Sequence, residues 1–388
     1  MDIRLVDSSE DLSELTDALA SAGRVALDCE AAGFHRYSDR LCLVQLTTGS
    51  RHYLIDPFAV PADELLRPIL EDPEREIVMH GADFDMRLLD RDLGIRPRRL
   101  FDTQIAATLL GVEGVGLSAL LERHFGIRLS KKYQRADWGI RPIPDEMMRY
   151  AALDTAHLME LADLLHEALV EADRLDWAQE EFEALAEIRY EQPDDTDPVS
   201  RIRAARDMTD REVHRLRAAL EWRDTVARRR DRAPFRIAGD QVLAEVALQN
   251  PRSREALESI QGFNRSLARE EGPALLEALG EIGELPDEAI MGLPRSDHFG
   301  RGRPSPEVEE RFLRLKELRN QRASDLGLER GVLISNSLLQ KIAELNPRSM
   351  DQLHEASLLR NWQVHVLGSD LLAALSAPGY SGPRNPPA

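Results

Sequence analysis

The sequence predicts an α/β domain built on a mixed β-sheet, followed by two all-α helical bundles. Three observations lead there. Up to about residue 170, short apolar or β-branched runs alternate with helical patterns. Beyond that point strand signals cease. Within the second half, a helical pattern recurs at an offset of 96 residues.

The elements follow in order. "GRVALDCE" (23–30), "RLCLVQLTT" (40–48) and "HYLIDP" (52–57) are successive strand candidates, which predicts a meander of neighbouring strands. "ADELLRPILED" (62–72) reads as a helix. "REIVMHGADFDMRLLDRDLG" (75–94) reads as a strand, a glycine turn and a helix. "DTQIAATLLG" (102–111) and "GLSALLERHFG" (116–126) are helical, and "PDEMMRYAALDTAHLMELADLLHEAL" (144–169) predicts one long helix. A meander followed by strand–helix alternation gives a mixed sheet.

The acidic, apolar-poor "EQPDDTDP" (191–198) reads as a linker. Beyond it, "NPRS" stands at 250–253 and again at 346–349, and the same offset pairs Arg223 with Arg319, Ala227 with Ala323, Leu243 with Leu339 and Leu257 with Leu353. A duplicated helical unit follows. The Gly/Pro-rich stretch 293–306 predicts a loop between the copies, and the C-terminal tail predicts disorder. The expected units are 1–170, a helical connector over 171–207, bundles over 208–285 and 306–378, and a tail over 379–388.

Composition narrows the function. A chain of 388 residues with 43% hydrophobic content is long enough for two or three domains with cores. The net charge of −19 argues against a broadly basic surface, although a local basic groove or bound cations could still receive nucleic acid. Cys29 and Cys42 both sit in apolar runs, as small buried hydrophobes of a reducing compartment do. With no apolar run near ~18 residues, a soluble cytoplasmic protein is expected, with no membrane and no obligate protein partner evident.

The chemistry begins at "LDCE". In a strand, residues i and i+2 share a face, so Asp28 and Glu30 project together and Cys29 points away. Such a pair is either the wet face of an edge strand or a buried pair that needs compensation. Further acids stand in "HGADFDM", where Asp83 or Asp85 could cap a helix, and in "YAALD", where Tyr150 and Asp154 lie one helical turn apart. A tyrosine on such a face is either core or part of a site. Carboxylates from separate elements aimed at one point raise one another's pKa unless a cation lies among them. Oxygen donors without Cys or His suit Mg²⁺ or Mn²⁺, and two such ions are the recurrent device for displacement at phosphorus.

In order and context, "LDCE", "HGADFDMRLL" and "YAALD" resemble the three motifs of the DEDDy 3′–5′ exonucleases, specifically ribonuclease D. "DRLCLVQL", "FDTQIAA" and "YQRADWGIRPIP" match the stretches between them, and residues 208–285 and 306–378 resemble two HRDC domains. The resemblance implies a ribonuclease H-like exonuclease fold with a mixed sheet. It implies two divalent ions, Mg²⁺ or Mn²⁺, held by Asp28, Glu30, Asp85 and Asp154, with Tyr150 at the tyrosine position and Asp83 left over. It also implies hydrolysis from the RNA 3′ end to nucleoside 5′-monophosphates, on tRNA precursors or other structured RNA 3′ ends. A DNA exonuclease with the same site, or a non-catalytic RNA-binding scaffold, are the alternatives.

Candidate substrate contacts are Lys131, Lys132, Arg135, Arg141 and His80, with Trp138 as either a stacking surface or a buried structural residue. His80 and Asp102 match family positions and could equally be structural. "RPRR" (96–99) and "RRRDR" (228–232) are either nucleic-acid contacts or solvated faces. The second helical copy lacks the basic run, which favours packing against the nuclease domain over RNA contact.

Overall fold

A computed structural model of the chain describes residues 1–20, 22–192, 197–294 and 304–377. The expected tail at 379–388 and parts of the stretches 191–198 and 293–306 lie outside these residues. Among those described, six strands form one sheet: β1 (Asp2–Val6), β2 (Arg24–Ala31), β3 (Leu41–Thr48), β4 (Arg51–Ile55), β5 (Glu76–Met79) and β6 (Leu100–Asp102), in spatial order β1-β4-β3-β2-β5-β6. The meander is present, since β2–β3 and β3–β4 pair antiparallel. The pairs β1–β4, β2–β5 and β5–β6 are parallel, so the sheet is mixed.

Because β2 and β3 are central strands, both their faces must be covered. Around the sheet lie α1 (Ser9–Ala20), α2 (Ala62–Leu70), α3 (Asp83–Leu88), α4 (Thr103–Leu109), α5 (Leu117–Phe125), α6 (Asp145–Ala156) and α7 (Leu158–Glu171), of which α6 packs on β2 and β3 and α7 on β2. On one face Leu43 and Leu54 pack with Trp138, Met147, Ala151 and Ala152. On the other, Val25, Leu27 and Val44 share a larger core with Leu158, Leu161 and Leu165.

The expected single helix over 144–169 is corrected: it breaks at His157, where φ is −120°. No glycine or proline marks the spot. Instead Thr155 Oγ1 is tied to Thr47 Oγ1 of β3 at 2.7 Å, while Leu158 and Leu161 turn into the opposite core. The break lets α6 and α7 clothe different faces of one sheet.

Helix α8 (Leu175–Ala186), inside the expected connector, lays Phe182 on Phe101 of β6 with ring centroids 4.9 Å apart. The first bundle comprises α9 (Asp210–Arg230), α10 (Pro234–Ile237), α11 (Asp240–Gln249), α12 (Arg254–Ser259), α13 (Arg265–Glu270) and α14 (Gly272–Glu284). The second comprises α15 (Pro306–Leu326), α16 (Arg330–Leu333), α17 (Asn336–Leu345), α18 (Met350–Glu355) and α19 (Asn361–Ser376). The first four helices of each copy keep the 96-residue offset, and the repeated "NPRS" has a structural reason. Asn250 and Asn346 close a helix in the left-handed conformation, and Ser253 and Ser349 cap the next. Arg223 and Arg319 likewise serve matching carbonyls, of Ala238 and Ile334.

The two copies dock differently. The second shares the large core of the α/β domain, with Trp362 stacked on Trp177 at 4.7 Å. The first keeps its own core and meets the α/β domain through polar groups and the Phe34 and Tyr37 rings of the loop after β2.

Candidate active site

β2 and α6 supply the centre of the site. Asp28 and Glu30 pair across the ladder with Gln45 and Leu43, which places both acids on the α6 face of the sheet. Helix α6 presents Tyr150 and Asp154 one turn apart toward them. One carboxylate oxygen from each of Asp28, Glu30 and Asp154 lies within 4.8 Å of the others. Asp85, buried in the first turns of α3, stands outside that trio but within the field of Asp28. The four motif acids therefore converge from three elements.

The electrostatics are those of an uncompensated cluster. Burial pushes the Asp28 carboxyl up to about 7. Burial and then the Asp28 charge push Asp154 up to about 8. Glu30 and Asp85 are held well above the usual carboxylate range, first by burial and then by Asp28. Among the described residues, the leading influences on these four are burial and neighbouring carboxylates, opposed only by backbone N–H groups. The Tyr150 phenol is likewise held above its ordinary value, by burial and then by Asp154, Glu30 and Asp28. The sum is a deficit of positive charge. A close set of carboxylate oxygens fits hard divalent ions, and the residues that would hold them are Asp28, Glu30, Asp154 and Asp85. Cys29 faces the other core, as its place in the strand requires.

Asp83 is the surplus acid, but it does not cap. It is exposed and pairs with Arg87 one turn on, at 3.0 Å. The cap is elsewhere: Asp102 receives the backbone N–H of Gln104 and Ile105 at the start of α4, and that of Ala82 at 2.8 Å. It thus fixes the turn that launches α3. His80 bonds Thr103 Oγ1 through Nδ1 at 2.9 Å, and Thr103 donates onward to Met79.

Of the other candidates, two are corrected. Trp138 is 1% exposed and packs in the α6-side core, 6.1 Å from the Tyr150 ring, so it offers no face for a base. Arg141 makes a two-pronged pair with Asp56 and serves the carbonyls of Cys42, Trp138 and Ile140. Its donors are occupied in holding the segment before α6. Lys132 pairs with Glu146 at 2.8 Å, and Glu146 also accepts from Tyr133. Lys131 and Arg135 are exposed. In "RRRDR", Arg228 pairs with Asp224, Arg229 with Glu271 and Arg230 with Glu270 and Glu271, so the run is largely neutralised. Beside the acids opens a cavity of about 200 Å³ lined by Tyr133, Arg149, Tyr150 and Asp154 among others. A larger one, about 600 Å³, is lined by none of the acids; Arg96 and Arg98 line it, with Arg96 paired to Asp90.

One residue escaped the sequence reading. Gln45 is 0% exposed, and neither end of its amide has a partner. The available signal was a glutamine inside the apolar run "LCLVQLTT" of a central strand.

The fold agrees with the comparisons. Residues 3–170 match the 3′-5′ exonuclease family, and residues 213–279 and 308–375 each match the HRDC domain. The chain is therefore a 3′-5′ exonuclease of the metal-dependent phosphodiester hydrolases, carrying two HRDC domains. It is 31% identical over 95% of its length to a ribonuclease D of Gluconacetobacter diazotrophicus, covering 92% of that protein. To a ribonuclease D of Xanthomonas oryzae it is 32% identical, over 94% of this chain and 97% of that one. The solved structure of Escherichia coli RNase D shares the fold, with a TM-score of 0.69 at 24% identity over 97% of this chain and 99% of that one. The chain belongs to the ribonuclease D family.

Proposed function

We propose that the protein removes nucleotides one at a time from RNA 3′ ends, with Asp28, Glu30, Asp85 and Asp154 holding two Mg²⁺ or Mn²⁺ ions. The observation that carries this is the convergence of half-buried Asp28, Glu30 and Asp154 oxygens within 4.8 Å, in a set of carboxyls that burial and mutual repulsion push upward. Divalent ions, when bound, supply the charge that offsets the carboxylates and the acidity that makes water a nucleophile at neutral pH. Water attacks the terminal phosphorus, and the bond to the preceding 3′-oxygen breaks. That oxygen leaves with a proton as the new 3′-hydroxyl, and a nucleoside 5′-monophosphate departs.

Tyr150 orients the attacking water. Its phenol ordinarily keeps its proton well above neutral pH, and in the metal-free site burial and the carboxylates hold it higher still, so it serves as a hydrogen-bonding group and not as a free base. The small cavity beside Tyr150 and Asp154 gives the terminal nucleotide a place to sit.

The substrates proposed are 3′ ends of structured RNAs, tRNA precursors among them. Support comes from the similar Escherichia coli enzyme, which is described as an exoribonuclease involved in structured RNA processing. We assign the nuclease unit to 1–170, the connector to 171–207 and the two HRDC units to 208–285 and 306–378. Among the described residues no helix is long and apolar enough to cross a membrane. A cytoplasmic location is consistent with two free, buried cysteines.

The test is direct. RNA and DNA oligonucleotides are incubated with the protein and Mg²⁺ or Mn²⁺, then with EDTA. Stepwise shortening of RNA to 5′-monophosphates, abolished by EDTA, is expected. Preferential loss of DNA would favour a DNA exonuclease, and no loss of either would leave a scaffold.

A further inference from the structure

The loop that leaves β2 reaches the first HRDC unit and carries an exposed aromatic ring there. Phe34 lies four residues beyond Glu30, so its backbone is at most about 14 Å from that acid. Its ring stands 5.4 Å from Phe235, which precedes the arginine of α10. The two rings remain 38% and 52% exposed. Three units of sequence meet at this pair. Arg236 lies over Phe34 at 4.7 Å, and Arg135, from the segment before α6, lies over it at 5.4 Å. Next to them opens a cavity of about 390 Å³ that Arg232 and Arg236 help to line.

A simple explanation is that the rings join the two units. Other groups already do so. Ala233 N–H donates to His35 O at 3.2 Å, Arg236 Nε to Phe34 O at 2.7 Å, and Tyr37 OH to Asp224 at 2.8 Å. Rings that served only as glue would be covered, yet these stay 38% and 52% exposed, with movable arginine side chains as the cover over Phe34. Nor are the nearby cations all committed. Among the described residues, the guanidinium groups of Arg135 and Arg232 make no hydrogen bond or ion pair, whereas Arg36 and Arg230 are paired with acids. In a chain of net charge −19, arginines without acidic partners beside exposed aromatic rings make a local surface suited to a polyanion. Stacking platforms flanked by cations are how proteins hold single-stranded nucleic acid without reading its sequence.

Resting on the exonuclease reading, we propose that Phe34 and Phe235 stack bases of the single-stranded RNA upstream of the scissile bond, with Arg135 and Arg232 meeting its phosphates. The platform straddles the nuclease and first HRDC units, so it forms only when they are docked. It would favour substrates with a single-stranded 3′ extension long enough to reach from the acids to the loop.

The test uses the full chain and a long single-stranded oligoribonucleotide, with binding measured in EDTA so that no hydrolysis intervenes. The Phe34→Ala/Phe235→Ala variant should bind about tenfold or more weakly, the scale of one or two lost stacking contacts. Phe34→Tyr/Phe235→Tyr should bind within about twofold of the parent. The Arg135→Gln/Arg232→Gln variant should lower the slope of log affinity against log salt by about 1.4, for two phosphates of a single strand. In Mg²⁺, the preference for long RNA over a dinucleotide, as a ratio of kcat/KM, should fall at least tenfold in the alanine variant. An alanine variant that binds within twofold of the parent would overturn the proposal. So would an equal loss in the tyrosine variant, which would mark a structural role. If the parent cleaves no RNA, the exonuclease reading fails, while binding in EDTA still decides the platform.

Discussion

Asp28 of β2 and Gln45 of β3 face each other across an antiparallel ladder, and the fully buried Gln45 amide has no partner at either end. Cross-strand neighbours stand about 4.5–5.5 Å apart at Cβ. An unmet buried amide costs about 1–3 kcal/mol. Such a group persists against that cost where the loaded site uses it, and here the adjacent carboxylate is a proposed metal holder. The prediction is a pair of opposite effects in Gln45→Met. The metal-free Tm should stay level or rise by about 2–4 °C, while the Tm gain on adding Mn²⁺ should shrink. A clear fall in the metal-free Tm would mean the amide is already satisfied.

Asp28→Asn should separate function from stability. Removing one charge from a cluster of like charges relieves repulsion, so the metal-free variant should melt higher than the parent at pH 8. The same change should reduce RNA hydrolysis by roughly 10²–10³-fold, the scale of losing one preorganised electrostatic group. Calorimetric titration with Mn²⁺ should show weakened binding. Near-normal hydrolysis at saturating Mg²⁺ would rule out the site.

The cluster also sets a pH dependence in the metal-free chain. Below about pH 4 these carboxyls are protonated in both folded and unfolded chains. Above that, the unfolded chain releases its protons, while folded Asp28 and Asp154 hold theirs up to about 7 and about 8. The folded state then binds more protons, so stability falls as pH rises through this window. Melting in EDTA should show Tm dropping between pH 5 and pH 8. Mg²⁺ or Mn²⁺ should restore more at pH 8 than at pH 5, because ions compete with protons for the same oxygens. A metal-free Tm that rises with pH would contradict the clustering.

Tyr150→Phe tests the other half of the site. The ring and its packing against Trp138 and Tyr133 survive the change, and only the hydroxyl is lost. Turnover should fall about 10²-fold, with Mn²⁺ affinity within about twofold of the parent. A large loss of metal affinity would instead make the phenol part of the binding set.

The residues legible in the sequence were those whose meaning is local. Asp28 and Glu30 share a face because strands have period two, and Tyr150 and Asp154 because helices turn every 3.6 residues. What escaped depends on distant partners. Trp138 reads equally as a stacking surface or a core residue, and Arg141 as a phosphate contact, until the core and Asp56 claim them. The break at His157 has no local signal, because it follows from Thr47 and from the two-sided sheet. Strand β1 alternates polar and apolar residues over Asp2–Leu5, too briefly to stand out from the polar N-terminus, and it exists by pairing with β4. The Phe34–Phe235 pair joins residues about two hundred positions apart and has no sequence signature.

The second HRDC unit should behave as a structural buttress, and its docking helix makes the prediction specific. Trp362 is 5% exposed and stacks on Trp177 of α8, and its Nε1 donates to Glu181 at 2.9 Å. The backbone N–H groups of Asn361 and Trp362 donate to Glu180 at 2.6 and 2.9 Å, so an acidic side chain of α8 caps α19 across the interface. Deleting the indole removes buried apolar surface, the stack and one hydrogen bond together. Trp362→Ala should therefore cost about 3–5 kcal/mol in urea unfolding. Glu180→Gln retains an acceptor but loses its charge, and should cost only about 1 kcal/mol. Because this core is continuous with the nuclease core, the Trp362→Ala loss should appear in the main unfolding transition. A separate early transition of the second unit, with the main one unmoved, would show that the two cores are energetically independent.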